Sequence, residues 1–119
     1  MRKRVFIAHQ IGGDVEANLR SAELWCRWAI YARDVNPIAP YLTLMAILDE
    51  KVEDERKIGL ILGDEYIPIC DEFWICGPVP SDDSHIWTEI EIAKEHKIKT
   101  VDYTGLILPE HFHSVKSTT

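Results

Sequence analysis

Arg4-Val5-Phe6-Ile7-Ala8-His9-Gln10-Ile11-Gly12-Gly13-Asp14 is the stretch on which the fold turns. Val5 to Ala8 is a short unbroken apolar run, without the alternation of a half-exposed strand, and it predicts a strand buried on both faces. Gly12 and Gly13 allow a tight turn behind it, and Asp14 is a fair N-cap for a helix. From about Val15 to Arg33 the chain has helical periodicity, with Val15, Leu19, Ala22, Cys26 and Ile30 in one apolar stripe. Leu24, Trp28 and Tyr31 form a second stripe, with Trp25 beside it. One stripe covers a sheet. The other needs a further partner, and a neighbouring subunit is the simplest, so a homo-oligomer (dimer or tetramer) is expected.

The same alternation of strand and helix continues downstream. Asn36-Pro37-Ile38-Ala39-Pro40 reads as a short strand at or near the sheet edge, given its prolines. Tyr41 to Leu48 is apolar, a short helix or a covering loop. Lys51 to Lys57 is highly charged and reads as a solvated helix start. That helix continues through Ile58, Ile61 and Leu62 towards Tyr66 and is limited by Pro68. Phe73-Trp74-Ile75-Cys76 is the next strand, stopped by Gly77-Pro78. Pro78 to Ser84 is a loop, Ile86 to His96 a helix and Lys99 to Tyr103 the last clear strand. Residues 1–105 make one domain, and residues 106–119 a tail with an apolar start. The crossovers are long enough to hold helices. The order therefore predicts a three-layer α/β/α sandwich on a flavodoxin- or Rossmann-like parallel sheet of four to five strands.

Composition narrows the function. The chain has 119 residues, enough for one domain with a real core, and a net charge of -7. That balance argues against a nucleic acid polymer as partner, because phosphate neutralisation needs a basic patch. Cys26, Cys70 and Cys76 are odd in number and lack C-x-x-C spacing, so they read as reduced thiols rather than a disulfide frame or zinc knuckle. No apolar run reaches the ~18 residues of a membrane span, and the chain enters its first strand without a signal-peptide pattern. A cytoplasmic protein with no membrane partner is expected.

In a flavodoxin-like order the ligand crevice lies between the first and third strands, beyond their carboxyl ends. Two loops meet there, His9 to Asp14 and Gly77 to Glu89. Asp83 or Ser84 can cap the next helix, leaving N–H groups and a dipole suited to an anion such as phosphate. Glu89, one turn inside, can point to the sheet edge as nucleophile or general base. Asp83 is a second carboxylate nearby, able to shift a pKa. His9 at a strand end and His85 opposite can bind phosphate or move a proton if they face one crevice. Gly12 and Gly13 permit a backbone approach to phosphate. Trp87 can stack on a base or fill the core. No third ligand stands at a sensible spacing from these histidines, so no metal and no cofactor are expected. His111 and His113 read as surface residues.

Several segments together resemble the nucleoside 2-deoxyribosyltransferase-like superfamily, most closely its small bacterial and phage members. They are Val5-Phe6-Ile7-Ala8, Gly13-Asp14-Val15-Glu16-Ala17-Asn18, Pro37-Ile38-Ala39-Pro40, Glu55-Arg56-Lys57-Ile58-Gly59, Cys70-Asp71-Glu72-Phe73-Trp74 and Glu89-Ile90-Glu91-Ile92-Ala93-Lys94. The resemblance implies that Glu89 matches the Glu attacking the anomeric carbon, that Asp83 helps handle the leaving base, and that Asp64 matches a further active-site Asp. The implied reaction cleaves an N-glycosidic bond of a nucleoside or nucleotide through a covalent glycosyl-Glu intermediate. It also implies a pocket often completed by a neighbouring subunit. His85 stands where active members have Gly, and it can either block the sugar site or bring charge for a 5′-phosphate. The alternative is a module that binds a nucleotide or an ADP-ribose-like ligand without cleaving it.

Overall fold

In the computed structural model, which describes residues 1–109 and 112, the opening stretch forms β1 (Arg4–His9) and α1 (Val15–Arg33). Asp14 is the N-cap, its carboxylate accepting from the Ala17 N–H at 3.2 Å. Next come β2 (Asn36–Ile38), α2 (Pro40–Ile47) and α3 (Glu53–Asp64). A 3₁₀ turn at Ile67–Ile69, entered through Pro68, precedes β3 (Glu72–Cys76). The chain then runs through α4 (Ile86–Glu95) into β4 (Lys99–Asp102). Tyr41 to Leu48 is thus mainly helix, and the last strand stops one residue short of Tyr103.

The four strands are all parallel, in the order β2-β1-β3-β4. β1 and β3 are the central pair, in register from Val5↔Glu72 to His9↔Cys76. Their doubly apolar sequences arise because they are covered on both faces. Val5, Ile7, Trp74 and Cys76 pack with Trp25, Trp28 and Ala29 of α1. Phe6, Ala8, Phe73 and Ile75 pack with Ile67, Ile86 and Ala93 on the other face. Phe6 and Phe73 are fully buried and stacked at 5.4 Å, and each such ring contributes about 1.5–3 kcal/mol by leaving water. The crossovers through α1 and α4 run in opposite directions on opposite faces. They therefore share one hand, as right-handed connections require.

Two expectations are corrected. The face α1 turns to the sheet is Ala22, Trp25, Trp28 and Ala29, while Ile30 of the first stripe is exposed. Trp28 is covered within the chain, against Trp74 and Tyr103. Leu108 and Phe112, expected in a tail, are buried in the same cluster. Only Tyr31 of the second stripe remains well exposed, at 69%, so that stripe is no longer a reason to expect a neighbouring subunit. His111 and His113 lie outside the described residues. Among the described residues, no helix is long and apolar enough to cross a membrane.

Candidate functional site

The switch between β1 and β3 opens into a cavity of about 710 Å³. That is within the usual size range for small-molecule sites, and this end of a parallel sheet is where ligands bind. Its floor and walls come from the loop after β1, from α2 and α3, and from the segment leading into α4. Ile11, Leu44, Met45, Leu48 and Leu60 make one side apolar. The two loops are tied together where the Ser81 N–H donates to the side-chain oxygen of Gln10 at 2.6 Å. A second hollow of about 1000 Å³ lies at the amino ends of the strands. Its main charges are already paired, Lys3 with Glu72 and Arg2 with Asp34, so the first cavity is the candidate.

Two titratable side chains of its wall, His85 and Glu89, meet a third, Asp64, that stands behind the lining. His85 is the N-cap of α4 and Glu89 lies in the first turn of that helix. Four residues apart, they share a helix face. Asp64 is the last residue of α3 and approaches from the side. The His85 Nε2 is 2.9 and 3.0 Å from the two Asp64 carboxylate oxygens. This bonding holds the imidazole above its ordinary pKa against the opposing effect of burial. Burial pushes the Glu89 carboxyl up to about 8; the His85 charge pulls it back and Asp64 adds to the rise. Donor atoms of all three lie within 4.8 Å of one another.

The other expected site residues divide. Asp83, Ser84, Gly12 and Gly13 line the cavity. Asp83 is exposed at the rim and accepts from the Ser81 hydroxyl at 2.8 Å. It does not cap α4; the Ser84 hydroxyl takes the Ile86 N–H, and the Ser84 carbonyl takes that of Trp87. Two N–H groups of the expected phosphate seat are therefore already bonded. Asp14 is spent on capping α1. Trp87 is neither core nor lining: it is 46% exposed and its indole N–H donates to the Ser81 carbonyl at 2.8 Å.

His9 touches the cavity but is committed as a structural residue. It is 3% exposed. Its Nδ1 is 2.7 Å from the Gln10 carbonyl, which can only accept, so Nδ1 carries the proton and Nε2 accepts from Ser21 at 2.8 Å. Burial holds its pKa below the ordinary value. Gly77, expected to touch a ligand, instead lies under this ring. A Cβ there would stand 2.3 Å from the His9 Nε2, and its φ of +84° favours glycine in any case.

Sequence reasoning missed Tyr41 and Arg56. Tyr41 lines the cavity from α2, its hydroxyl donating to the Ile7 carbonyl at 2.7 Å. Only Tyr41's place just after Pro40 hinted at that position. Arg56 came within a charge run that reads as solvated, and it faces the cavity from α3. Glu50, Glu55, Asp83 and Glu89 line the cavity with it, so the wall carries more acid than base. The three cysteines are free thiols. Burial pushes Cys26 up to about 12 and Cys70 to about 11, and raises Cys76 as well, which keeps them inert.

A family model described as Domain of unknown function (DUF7768) matches residues 3–103. The chain belongs to the DUF7768 family. The DUF7768 match begins one residue before β1 and ends one residue after β4, so it contains the whole sheet and the Asp64, His85 and Glu89 cluster. No curated protein and no solved structure matches the chain.

Proposed function

We propose that this DUF7768 protein is a cytoplasmic nucleoside N-glycosidase or deoxyribosyltransferase that uses Glu89 as its nucleophile. The observation that carries the reading is a carboxyl in the wall of a nucleoside-sized cavity at the sheet's switch point, set beside a His85–Asp64 pair. The Glu89 carboxylate attacks C1′ of the sugar, and the C1′–N bond breaks. The bonding electrons leave with the base, which takes up a proton. Water, or a second base, then releases the sugar from the ester. A carboxylate attacks only when ionised, and the His85 charge favours that form against burial. His85 therefore has a positioning and electrostatic role where a glycine was expected. Asp83 at the rim keeps the role of handling the leaving base. The acid-rich wall and the partly filled helix N-terminus favour an uncharged nucleoside over a 5′-phosphate. The homo-oligomer belongs to the reading too, with its contact moved from α1 to the exposed Ile58, Ile61 and Leu62 of α3.

The test is chromatographic. Ribo- and deoxyribonucleosides and their 5′-monophosphates are incubated with the protein and with Glu89→Gln. Free base is expected from at least one nucleoside, at a rate at least ~100-fold lower in the variant. No base from any substrate, or an unchanged rate with Glu89→Gln, overturns the reading. A second reading is the binding module, in which a nucleotide or ADP-ribose-like ligand is held intact. The shift of Glu89 to about 8 favours it, because a protonated carboxyl donates a hydrogen bond rather than attacks. It predicts a higher Tm with an intact nucleotide and no base released.

A further inference from the structure

Asp64 and His85 are an ion pair by distance, but Glu89 is left without a match. Among the described residues no hydrogen-bond donor reaches its carboxylate, and the half-buried side chain lines the cavity. Two carboxylates and an imidazole, half-buried together beside an open cavity, are the donor set that suits a cation. The oxygens of Asp64 and Glu89 and a ring nitrogen of His85 lie within 4.8 Å of one another. Ligand atoms around a small divalent ion, with bonds of about 2.0–2.2 Å, stand roughly 3 to 3.5 Å apart. Asp64 and His85 are already at that separation, at 2.9 Å. A change of the Glu89 side-chain torsion would complete the set.

We propose that Asp64, His85 and Glu89 bind one divalent first-row transition ion, with the remaining coordination positions open to the cavity. One imidazole nitrogen and two carboxylates select such an ion over Mg²⁺, which prefers oxygen ligands and keeps its water. Three protein ligands and an open side are the pattern of a reactive rather than a structural site. The ligand atoms must be free of protons to bind, so as the ion enters, the Nε2 proton of His85 and any proton on Glu89 leave. Two of the ligands come from α4 at four-residue spacing, and the third from the end of α3, so the ion would pin those helices together. The binding does not depend on the glycosidase reading. One consequence does rest on it: an ion held by Glu89 occupies the attacking carboxylate, so metal inhibits base release.

The test is calorimetric titration of chelator-stripped protein with ZnCl₂. His111 and His113, two apart in the sequence, are first replaced by alanine in every protein used so that they cannot contribute to zinc binding. One equivalent of Zn²⁺ is expected to bind with a Kd on the order of micromolar or tighter, and MgCl₂ at least ~100-fold more weakly. His85→Ala is expected to weaken Zn²⁺ binding by at least ~10- to 100-fold. Glu89→Gln, which keeps the shape of the side chain, should also weaken it, with an unchanged melting curve confirming that it folds. No stoichiometric heat, or equal affinity in wild type and both variants, overturns the proposal. No base release from the metal-free wild-type protein, with zinc binding intact, refutes only the glycosidase reading.

Discussion

Replacing Gly77 by alanine puts a methyl group where His9 already stands. The added carbon would lie 2.3 Å from Nε2, 2.6 Å from Cδ2 and 3.0 Å from Cε1 of that ring, against about 3.5–4.0 Å for an easy contact. The ring has little room to retreat, being 3% exposed and bonded to both Gln10 and Ser21. Two terms add. A side chain at a positive φ costs about 1–2 kcal/mol, and pushing His9 off a buried hydrogen bond costs about 1–3 kcal/mol. The expected loss is therefore roughly 2–5 kcal/mol, a large part of the 5–15 kcal/mol typical of a domain. Urea unfolding followed by circular dichroism measures it as a lower midpoint at unchanged slope. A double-mutant cycle with His9→Ala isolates the cause. With the ring gone, the Gly77→Ala penalty should shrink to the backbone part of about 1–2 kcal/mol. A loss below about 1 kcal/mol, or the same loss in both backgrounds, refutes the argument and reopens Gly77 as a ligand contact.

Three other outcomes are expected. In metal-free buffer, the raised Glu89 carboxyl makes folding less favourable as pH rises from its unfolded value of about 4.3 to about 8. Glu89→Gln should therefore gain stability relative to wild type across that window; a constant difference from pH 5 to 8.5 contradicts the shift. Asp14→Ala removes the α1 cap and should cost about 1 kcal/mol in urea, whereas a cost near zero would show the cap to be idle. Trp28→Ala should cost about 3–5 kcal/mol by opening the core, and Trp87→Ala no more than about 1 kcal/mol; thermal melts in which the two are alike would contradict their placement.

The sequence was legible where structure is encoded locally. The strand from Val5 to Ala8 and its glycine turn announce themselves because both faces of β1 are buried and Asp14 caps α1. The ends of α1 fall at Val15 and Arg33 as read. Periodicity also showed that α1 has a second apolar face, but it carries no information on what covers that face. Tyr103, Leu108 and Phe112 do so from far along the chain. The site divides in the same way. The sequence pattern set Glu89 beside Asp83 and His85 opposite His9, whereas in the fold His85 and Glu89 meet Asp64, which is 21 residues from His85 and reaches it only through the packing of α3. His9 and Gly77 looked like ligand residues because strand ends usually face the crevice. Their mutual packing is a contact between β1 and the loop after β3, which no local pattern reveals.

The distribution of the indoles has an optical consequence. Trp25, Trp28 and Trp74 are at most 8% exposed, with centroids 5.4 Å apart for the first pair and 6.0 Å for Trp28 and Trp74. The fourth tryptophan, Trp87, stands half in water and is hydrogen-bonded to the Ser81 carbonyl, in the loop that rims the cavity. The chain thus holds two separate fluorophore populations. The buried trio is coupled through space and shielded from iodide, while Trp87 emits to the red and can be quenched. Fluorescence that responds to iodide therefore comes from Trp87, beside the Ser81 loop, and it distinguishes changes there from changes in the core.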